Sequence, residues 1–430
     1  MTSIAVLFYL LAAASDFDGL WRSFHAAGDP LSREVAWAEL QRHGWPGDFD
    51  ATLERLRSRD YGSDVPTGLV RESRTDLQER HYKYMLLIPE SYDPGHSYPV
   101  QVVLHGSTRR KAWKDGEDPW RWIDPFRGES IITVFPAAWE DAMWWSELQV
   151  ENLRQILDGL RARYHVDSNR CYLTGVSDGG TGTFYHALRA PTPWAAYLPL
   201  IGHPWVLGNR QEGADGNMFA SNLHGRWLFV VNGTDDQLYP AKALTPYLDL
   251  FRRAGANVQF TEKPGGHGVR WWPEESANFA AFREEHPRDP FPDRLVWETD
   301  DPPGNGRASW VILHEVGDEA APDPDPLNTA LFPELDPPTR AEAFPRSRPS
   351  GRVRLTREGN TFHAETRNAR RFELLLGVDE VEFDLPLKLI VNGVESSYEV
   401  TRDLETLMRW AIADGDPELL VAASITVDVP

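Results

Sequence analysis

The sequence predicts an α/β fold: a doubly wound, mostly parallel β-sheet, preceded by an N-terminal helical segment and followed by a C-terminal β-sandwich-like domain. Short apolar runs alternate with helical stretches between residues 67 and 288, which is typical of a parallel sheet covered by helices on both faces. Residues 15–66 show only helical spacing, and residues 289–430 contain strand-like runs with turn signals between them. These changes of pattern place the predicted domain boundaries near residues 66 and 288.

The net charge and the cysteine count exclude some classes of binding partner and metal site. The chain has 430 residues and a formal net charge of −21, and such a charge repels phosphate backbones and anionic lipid surfaces. We therefore expect no nucleic-acid partner. Cys171 is the single cysteine, which excludes an intramolecular disulfide and a cysteine-based metal site. No metal or organic cofactor is expected, and the oligomeric state stays open.

The first residues resemble an export signal. Residues 4–11 form a continuous apolar stretch that small residues follow, as in the apolar core and cleavage site of a secretory signal. This predicts that residues 1–14 are a signal peptide and that the protein is periplasmic or secreted. The alternative is an apolar first helix in a cytoplasmic protein. The stretch is too short to cross a bilayer, and no other segment predicts a membrane span.

The predicted elements follow in order along the chain. Apolar residues at helical spacing predict three short helices, around residues 17–24, 35–40 and 53–56. Short runs rich in apolar or β-branched residues then predict strands at residues 68–75, 80–88, 100–104, 131–135, 171–173, 228–231 and 258–260. Between these strands, the pattern predicts helices at residues 150–164, 181–188, 245–253 and 274–285.

The C-terminal part combines a proline-rich loop with short strands. Residues 287–349 contain 13 of the 33 prolines, and the run at 321–326 predicts an extended loop because proline fits neither an interior helix nor a central strand. Strands are predicted at residues 295–299, 308–314, 353–355, 361–366, 372–376, 387–391, 399–400 and 419–429. Asn392-Gly393 is a strong hairpin signal. Together these patterns predict a β-sandwich.

The motif Gly175-Val176-Ser177-Asp178-Gly179 fits the G-x-S-x-G pattern of a nucleophile elbow. Glycines flank the serine in such elbows because the sharp strand-to-helix turn crowds the neighbouring positions against other backbone. A strand-like run precedes the motif and a helical stretch follows it, which is the context that the motif requires. Ser177 is therefore the predicted nucleophile. The alternative is a solvated serine in a glycine-rich turn.

A serine nucleophile needs a base and a group that orients the base. In this kind of fold they follow in the order Ser, Asp or Glu, His. The strand at 228–231 runs into a turn with two carboxylates, and the next strand leads to a glycine-flanked histidine. We predict His267 as the base and Asp236 as the orienting acid. Asp235 is the second choice and is expected to point to solvent or to hydrogen-bond the turn backbone.

The developing oxyanion needs N–H donors that are already in place. One is predicted to be the backbone N–H of Asp178, the residue after the nucleophile. The other is predicted to be the backbone N–H of Ser107, in the loop after the strand at 100–104. His105, in the same loop, is expected to brace the backbone rather than to react.

These residues carry a family resemblance. The stretches at 100–107, 164–167, 170–180, 233–236 and 266–268 resemble the polyhydroxybutyrate-depolymerase and feruloyl-esterase-like branch of the α/β-hydrolases. They also resemble the catalytic domain of prolyl-oligopeptidase-family hydrolases. The resemblance implies Ser177, Asp236 and His267 as a catalytic triad, with the Ser107 loop as part of the oxyanion hole. The chain departs from the secreted depolymerases in having no disulfide framework.

Tryptophans supply the substrate clue. Six of the 17 tryptophans lie between residues 113 and 145, and loops after the strands form the active-site rim of such folds. An aromatic rim suits sugar rings, aromatic acyl groups or apolar chains. Substrate contacts are predicted for Trp144, Trp145, Trp205 and Trp271. The alternative is that these rings pack the long loops onto the sheet.

The residues together predict a serine hydrolase that cleaves an acyl bond through an acyl-enzyme intermediate. A small-molecule or polymeric carboxylic ester is the expected substrate, because the residues before the hydrolase part predict short helices and no propeller-like gate. The first alternative is a serine peptidase of the prolyl-oligopeptidase-like type, and the second is an inactive hydrolase-fold binding protein. All triad residues precede residue 289, so we expect a chain that ends near Pro290 to hydrolyse a small soluble ester.

Overall fold

The computed structural model describes residues 16–76, 78–320, 322, 325–333 and 335–430. The predicted signal peptide, residues 1–14, lies outside the described residues, and so do positions 321, 323 and 324 of the proline-rich run. In the described part of the chain, no helix combines the length and the apolar character that a membrane crossing requires.

Three helices open the described chain: α1 (Phe17–His25), α2 (Pro30–Arg42) and α3 (Phe49–Arg57). Each begins after an aspartate whose carboxylate accepts a hydrogen bond from a backbone N–H three residues further on. Such N-caps satisfy donors that the first helical turn leaves without a partner. The capping aspartates are Asp16, Asp29 and Asp48.

An eight-stranded sheet lies at the centre of the molecule. Its strands are β1 (Gly68–Thr75), β2 (His81–Ile88), β3 (Tyr98–Leu104), β4 (Ile132–Pro136), β5 (Val166–Val176), β6 (Ala196–Leu200), β7 (Trp227–Gly233) and β8 (Asn257–Lys263). Their order across the sheet is β1-β2-β4-β3-β5-β6-β7-β8. β2 is antiparallel to both of its neighbours, and the pairings from β4 across to β8 are parallel. This arrangement confirms the predicted fold class.

Helices cover both faces of this sheet. They are α4 (Glu147–Arg163), α5 (Asp178–Arg189), α6 (Trp205–Gly208), α7 (Ala241–Arg253) and α8 (Trp272–Glu285), with 3-10 turns at Asp124–Phe126, Arg210–Glu212 and Ala220–Leu223. Successive residues of a strand point to opposite faces. Val102 accordingly packs in the core beneath α4, α5 and α7, whereas Val103 packs in the core beneath α8.

Strand β6 is the element of this sheet that the sequence did not predict. Pro199 lies within it, between β5 and β7. Proline has no backbone N–H and is rare in central strands, so its presence argues against a strand. The run is fully buried, and the tertiary packing outweighs the local preference.

Two sheets pack face to face in the C-terminal part. Its elements are β9 (Arg294–Thr299), α9 (Pro302–Asn305), β10 (Arg307–Ala308), β11 (Val311–Val316), β12 (Thr329–Phe332), β13 (Thr339–Glu342), β14 (Gly351–Glu358), β15 (Thr361–Arg367), β16 (Ala369–Gly377), β17 (Leu387–Val391), β18 (Val394–Tyr398), α10 (Leu404–Asp414) and β19 (Val421–Asp428). One sheet has the order β10-β11-β16-β19 and the other β18-β17-β15-β14-β9. Their inner faces share one apolar core.

This part differs from the sequence prediction in several details. The strand predicted at 308–314 is divided between β10, which ends at Ala308, and β11, which begins at Val311. The strand predicted at 399–400 is wrong, because the strand that pairs with β17 across the Asn392-Gly393 turn is β18, which ends at Tyr398. Helix α10 was not predicted, and it buries Leu407 and Met408 against α1–α3. The hairpin β12–β13 was not predicted either. Residues 329–333 and 335–344, called the arm below, place Ala330 and Phe344 in the core of the large sheet.

Buried ion pairs join the three parts of the chain. Arg33 of α2 contacts Asp158 of α4 at 3.1 Å. Asp416, which follows α10, contacts Arg161 at 3.4 Å and Arg288 at 2.9 Å. Removing one partner of a buried ion pair leaves an uncompensated charge and is strongly destabilising. The helical segment, the large sheet and the β-sandwich therefore depend on one another.

Candidate active site

Ser177 stands at the turn between β5 and α5. Its φ is +60°, a left-handed backbone conformation that residues other than glycine rarely adopt. The flanking glycines are required by close packing. A Cβ on Gly179 would lie 2.0 Å from the carbonyl oxygen of Leu104, and one on Gly175 would lie 2.4 Å from the backbone of Gly179. The turn therefore has the strained geometry of a nucleophile elbow.

Three side chains meet beyond the carboxyl ends of β5, β7 and β8. Ser177 Oγ lies 2.8 Å from His267 Nε2, and His267 Nδ1 lies 2.8 Å from Asp236 Oδ2. An ionised carboxylate only accepts hydrogen bonds, so Nδ1 carries the proton and Nε2 presents its lone pair to the serine hydroxyl. The arrangement can therefore accept a proton from Ser177.

The carboxylate of Asp236 is held from its other side. Its Oδ1 accepts hydrogen bonds from the backbone N–H groups of Leu238 at 2.8 Å and Tyr239 at 2.9 Å, and the residue is 1% exposed. Asp235 is exposed instead, and its carboxylate accepts a hydrogen bond from the hydroxyl of Thr234. The structure thus brings Asp236, and not Asp235, to the histidine.

The loop after β3 passes close to Ser177. A Cβ on Gly106 would lie 3.1 Å from both Ser177 Cβ and the carbonyl oxygen of Val176. Ser107 follows with a φ of +59°. The backbone N–H of Asp178 lies in the first turn of α5, where N–H groups have no acceptor within the helix. The predicted oxyanion donors, Ser107 and Asp178, therefore stand on the two segments that flank the serine.

His105 braces this loop. Its Nε2 accepts a hydrogen bond from the Ala138 N–H at 2.9 Å, so the ring proton is on Nδ1, which donates to the carbonyl oxygen of Gly106 at 2.7 Å. Burial lowers the pKa of His105 to about 4, which keeps the ring neutral at ordinary pH. The Nε1–H of Trp144 donates to the carbonyl oxygen of His105 at 2.8 Å.

Two further residues at this site were not predicted from the sequence. The carboxylate of Asp178 accepts hydrogen bonds from the N–H and the hydroxyl of Thr108, at 2.8 and 3.0 Å. The hydroxyl of Tyr239 donates to the same carboxylate at 3.5 Å. The sequence signal for both was only position: Thr108 follows the predicted donor Ser107, and Tyr239 stands three residues after Asp236.

The four predicted substrate tryptophans divide into two groups. Trp144, Trp145 and Trp271 are at most 6% exposed, so in this arrangement their rings pack the loops rather than face a substrate. Trp145 also donates from Nε1 to the carbonyl oxygen of Glu212. Trp205 is 52% exposed and follows β6, so it alone of the four lies at the surface. Among the described residues, no cluster of three His, Cys, Asp or Glu side chains could hold a metal ion.

Comparisons with known proteins give partial likenesses. No protein-family model matches the chain. A bifunctional acetylxylan esterase/xylanase from Neocallimastix patriciarum is 23% identical over 159 residues, which are 36% of this chain and 22% of the relative. The chain therefore matches less than a quarter of the length of that curated relative.

Solved esterases and peptidases are also similar. Thermogutta terrifontis esterase 2 is 11% identical with a TM-score of 0.42, covering 51% of this chain and 94% of its own. The acylaminoacyl peptidase of Pyrococcus horikoshii is 16% identical with a TM-score of 0.40, covering 51% of this chain and 42% of its own. At such TM-scores these likenesses add nothing to the fold assignment, which rests on the strand order.

Proposed function

We propose that this protein is a serine hydrolase that cleaves carboxylic esters through an acyl-enzyme intermediate. One observation carries the proposal: the hydrogen-bonded series Ser177–His267–Asp236, with both distances at 2.8 Å, on an elbow with a left-handed serine. A serine hydroxyl is a weak nucleophile unless a base accepts its proton, and the base must be held in one tautomer.

The reaction follows from the roles of these groups. His267 Nε2 takes the proton of Ser177 while Oγ attacks the ester carbonyl carbon, and Asp236 stabilises the imidazolium that forms. The backbone N–H groups of Ser107 and Asp178 hold the oxyanion. His267 then protonates the leaving alcohol, and the acyl group stays on Ser177. In the second half, His267 activates a water molecule that releases the acid and restores the serine.

The ester assignment has two supports. The curated relative carries acetylxylan esterase in its name. Apolar side chains are also exposed after β6 and β7: Trp205, the first residue of α6, is 52% exposed, and Leu238, whose backbone N–H donates to Asp236, is 65% exposed. Exposed rings and aliphatic chains suit a sugar ring or an apolar group next to the scissile ester.

Two assays with one matched variant test this proposal. A fluorophosphonate probe should label wild-type protein at Ser177 and should leave Ser177→Ala unlabelled. A panel of p-nitrophenyl acetate, acetylated xylo-oligosaccharides, feruloylated sugars and a dipeptide p-nitroanilide then separates the reaction classes by kcat/KM. Preference for the anilide would replace the esterase by a peptidase. An absence of labelling and turnover would leave an inactive hydrolase-fold binding protein.

We further propose that the protein is exported, since residues 1–14 have the pattern of a secretory signal. Intact mass of the protein recovered from the periplasm and medium tests this. Cleavage close to residue 14 is expected, whereas a full-length cytoplasmic protein would contradict export.

A further inference from the structure

The side chain of Asp178 contacts two residues outside the proposed triad. They are Thr108, on the loop after β3, and Tyr239, on the loop after β7. We propose that the Asp178 carboxylate is a positioning group, called the latch below. It holds the loop 105–108 where the backbone N–H of Ser107 meets the oxyanion. The inference rests on the proposed function for its catalytic consequence. Its structural claim, that the Asp178 carboxylate restrains this loop at Thr108, is testable without turnover.

The first contact is with the oxyanion loop. Asp178 Oδ2 accepts both the N–H of Thr108 at 2.8 Å and its hydroxyl at 3.0 Å. The preceding residue, Ser107, has a φ of +59°. A left-handed residue other than glycine is strained and persists only where its surroundings hold it. The two hydrogen bonds to Thr108 restrain the peptide that follows Ser107, and the His105 ring restrains the peptide that precedes it through the carbonyl oxygen of Gly106.

The second contact is with the loop of the orienting acid. The hydroxyl of Tyr239 donates to Asp178 Oδ1 at 3.5 Å, and its backbone N–H donates to Asp236 at 2.9 Å. The Tyr239 ring lies 5.5 Å from the ring of His267. Burial, together with the neighbouring Asp178, raises the pKa of Tyr239 to about 12, so its hydroxyl stays a donor at neutral pH. Asp178 thus links the loops after β3, β5 and β7.

The charge of Asp178 cannot be what helps the reaction. A carboxylate beside a developing oxyanion repels it, and its benefit must therefore be geometric. An asparagine at this position would still accept the two hydrogen bonds of Thr108 through its amide oxygen, and it would carry no charge. An alanine would accept neither bond. The two substitutions therefore separate positioning from electrostatics.

The test measures kcat and KM for p-nitrophenyl acetate in wild type, Asp178→Ala, Asp178→Asn and Thr108→Val. Loss of one oxyanion donor costs about 10²–10³ in kcat, so Asp178→Ala should lose about 100-fold in kcat with KM nearly unchanged. Asp178→Asn should recover to within about tenfold of wild type, and Thr108→Val should lie between. Asp249→Ala, which removes an exposed carboxylate of α7, is the matched control and should equal wild type.

Hydrogen exchange of residues 105–110 gives a readout that does not depend on turnover. The amide of Thr108 should exchange faster in Asp178→Ala and at about the wild-type rate in Asp178→Asn. Unchanged exchange in Asp178→Ala, or equal loss of kcat in both Asp178 variants, would overturn the latch. A wild-type protein without ester turnover would overturn the proposed function instead, and the exchange data would still decide the latch. If Asp178→Ala does not fold, Thr108→Val, which removes the hydroxyl bond and keeps the N–H bond, decides the latch: an unchanged kcat in that variant would overturn it.

Discussion

The ring of Phe332 packs edge to face against the ring of Tyr247, with centroids 5.8 Å apart. The first belongs to the arm and the second to α7. The ring centroid of Tyr247 lies 5.4 Å from that of His203, and the ring centroid of His203 lies 6.0 Å from that of Tyr239. Because Tyr239 also lies against His267, a continuous series of rings joins the C-terminal part to the candidate base.

The packing of the C-terminal part against the large sheet changes the expected effect of truncating the chain. A chain that ends at Pro290 loses the arm, which exposes the part of the main core that Phe344 fills. It also loses Asp416 and leaves buried Arg161 without that partner. We therefore expect the truncated chain to be insoluble or unfolded, contrary to the expectation from the sequence. Soluble yield and thermal melting check this. Cooperative melting together with small-ester activity would show that the arm is dispensable.

Phe344→Ala tests the arm within the full chain. The side chain is fully buried against Tyr247 and Phe251, and removing a buried phenylalanine side chain costs about 3–5 kcal/mol. The free energy of unfolding, from urea titration, should fall by that amount. Leu331→Ala is the matched control in the same arm, because Leu331 is 44% exposed and its loss should cost under about 0.5 kcal/mol. Equal effects would mean that the arm does not contribute to the core.

Ser177→Ala should abolish ester turnover and leave the fold intact. The hydroxyl of Ser177 makes the hydrogen bond to His267, and loss of a triad nucleophile costs on the order of 10⁶ in kcat. Initial rates with p-nitrophenyl acetate and a thermal melt measure the two effects. Turnover within about tenfold of wild type would remove Ser177 from the reaction.

Asp236→Asn should be far more damaging than Asp235→Asn. The amide keeps the shape but cannot support the imidazolium or fix the tautomer of His267, and a comparable change costs roughly 10⁴ in serine proteases. Asp235 is exposed and does not contact the histidine, so its variant should keep wild-type kcat. The comparison of kcat for the pair at one pH decides the matter. A larger loss in Asp235→Asn would exchange the two roles.

Buried histidines should make the fold sensitive to acid. Burial lowers the pKa of His186 to about 3, whereas an unfolded histidine binds a proton near pH 6.5. The unfolded state therefore takes up the proton first, and stability is lost as the pH falls from 6.5 toward the folded pKa. At pH 5, His186 should account for about 2 kcal/mol of this loss.

Urea titration of wild type and His186→Asn at pH 8 and pH 5 measures that share. The stability difference between the two proteins should change by about 2 kcal/mol between the two pH values, in favour of the variant at pH 5. The measurement at pH 8 controls for lost packing. A difference that does not depend on pH would assign the acid sensitivity to other groups.

The site was predictable because its signals are local. A strand, a glycine-flanked serine and a helix are contiguous in sequence, and chain order then selects His267 and the turn at 233–236. The choice between Asp235 and Asp236 rested on position alone, and the hydrogen bonds from Leu238 and Tyr239 show how the turn aims one carboxylate inward. The contacts of Asp178 with Thr108 and Tyr239 join three separate loops, and no spacing in the sequence encodes them.

The amino-acid sequence by itself determined the parallel sheet, the elbow and the order of the candidate triad, because hydrophobic periodicity and glycine sterics act over a few residues. Tertiary structure decided what depends on distant partners. It buried Pro199 in a central strand, withdrew Trp144 and Trp271 from the surface, and placed the arm in the main core. In each case the free energy of packing against segments far away in sequence exceeded the local preference that a sequence pattern can report.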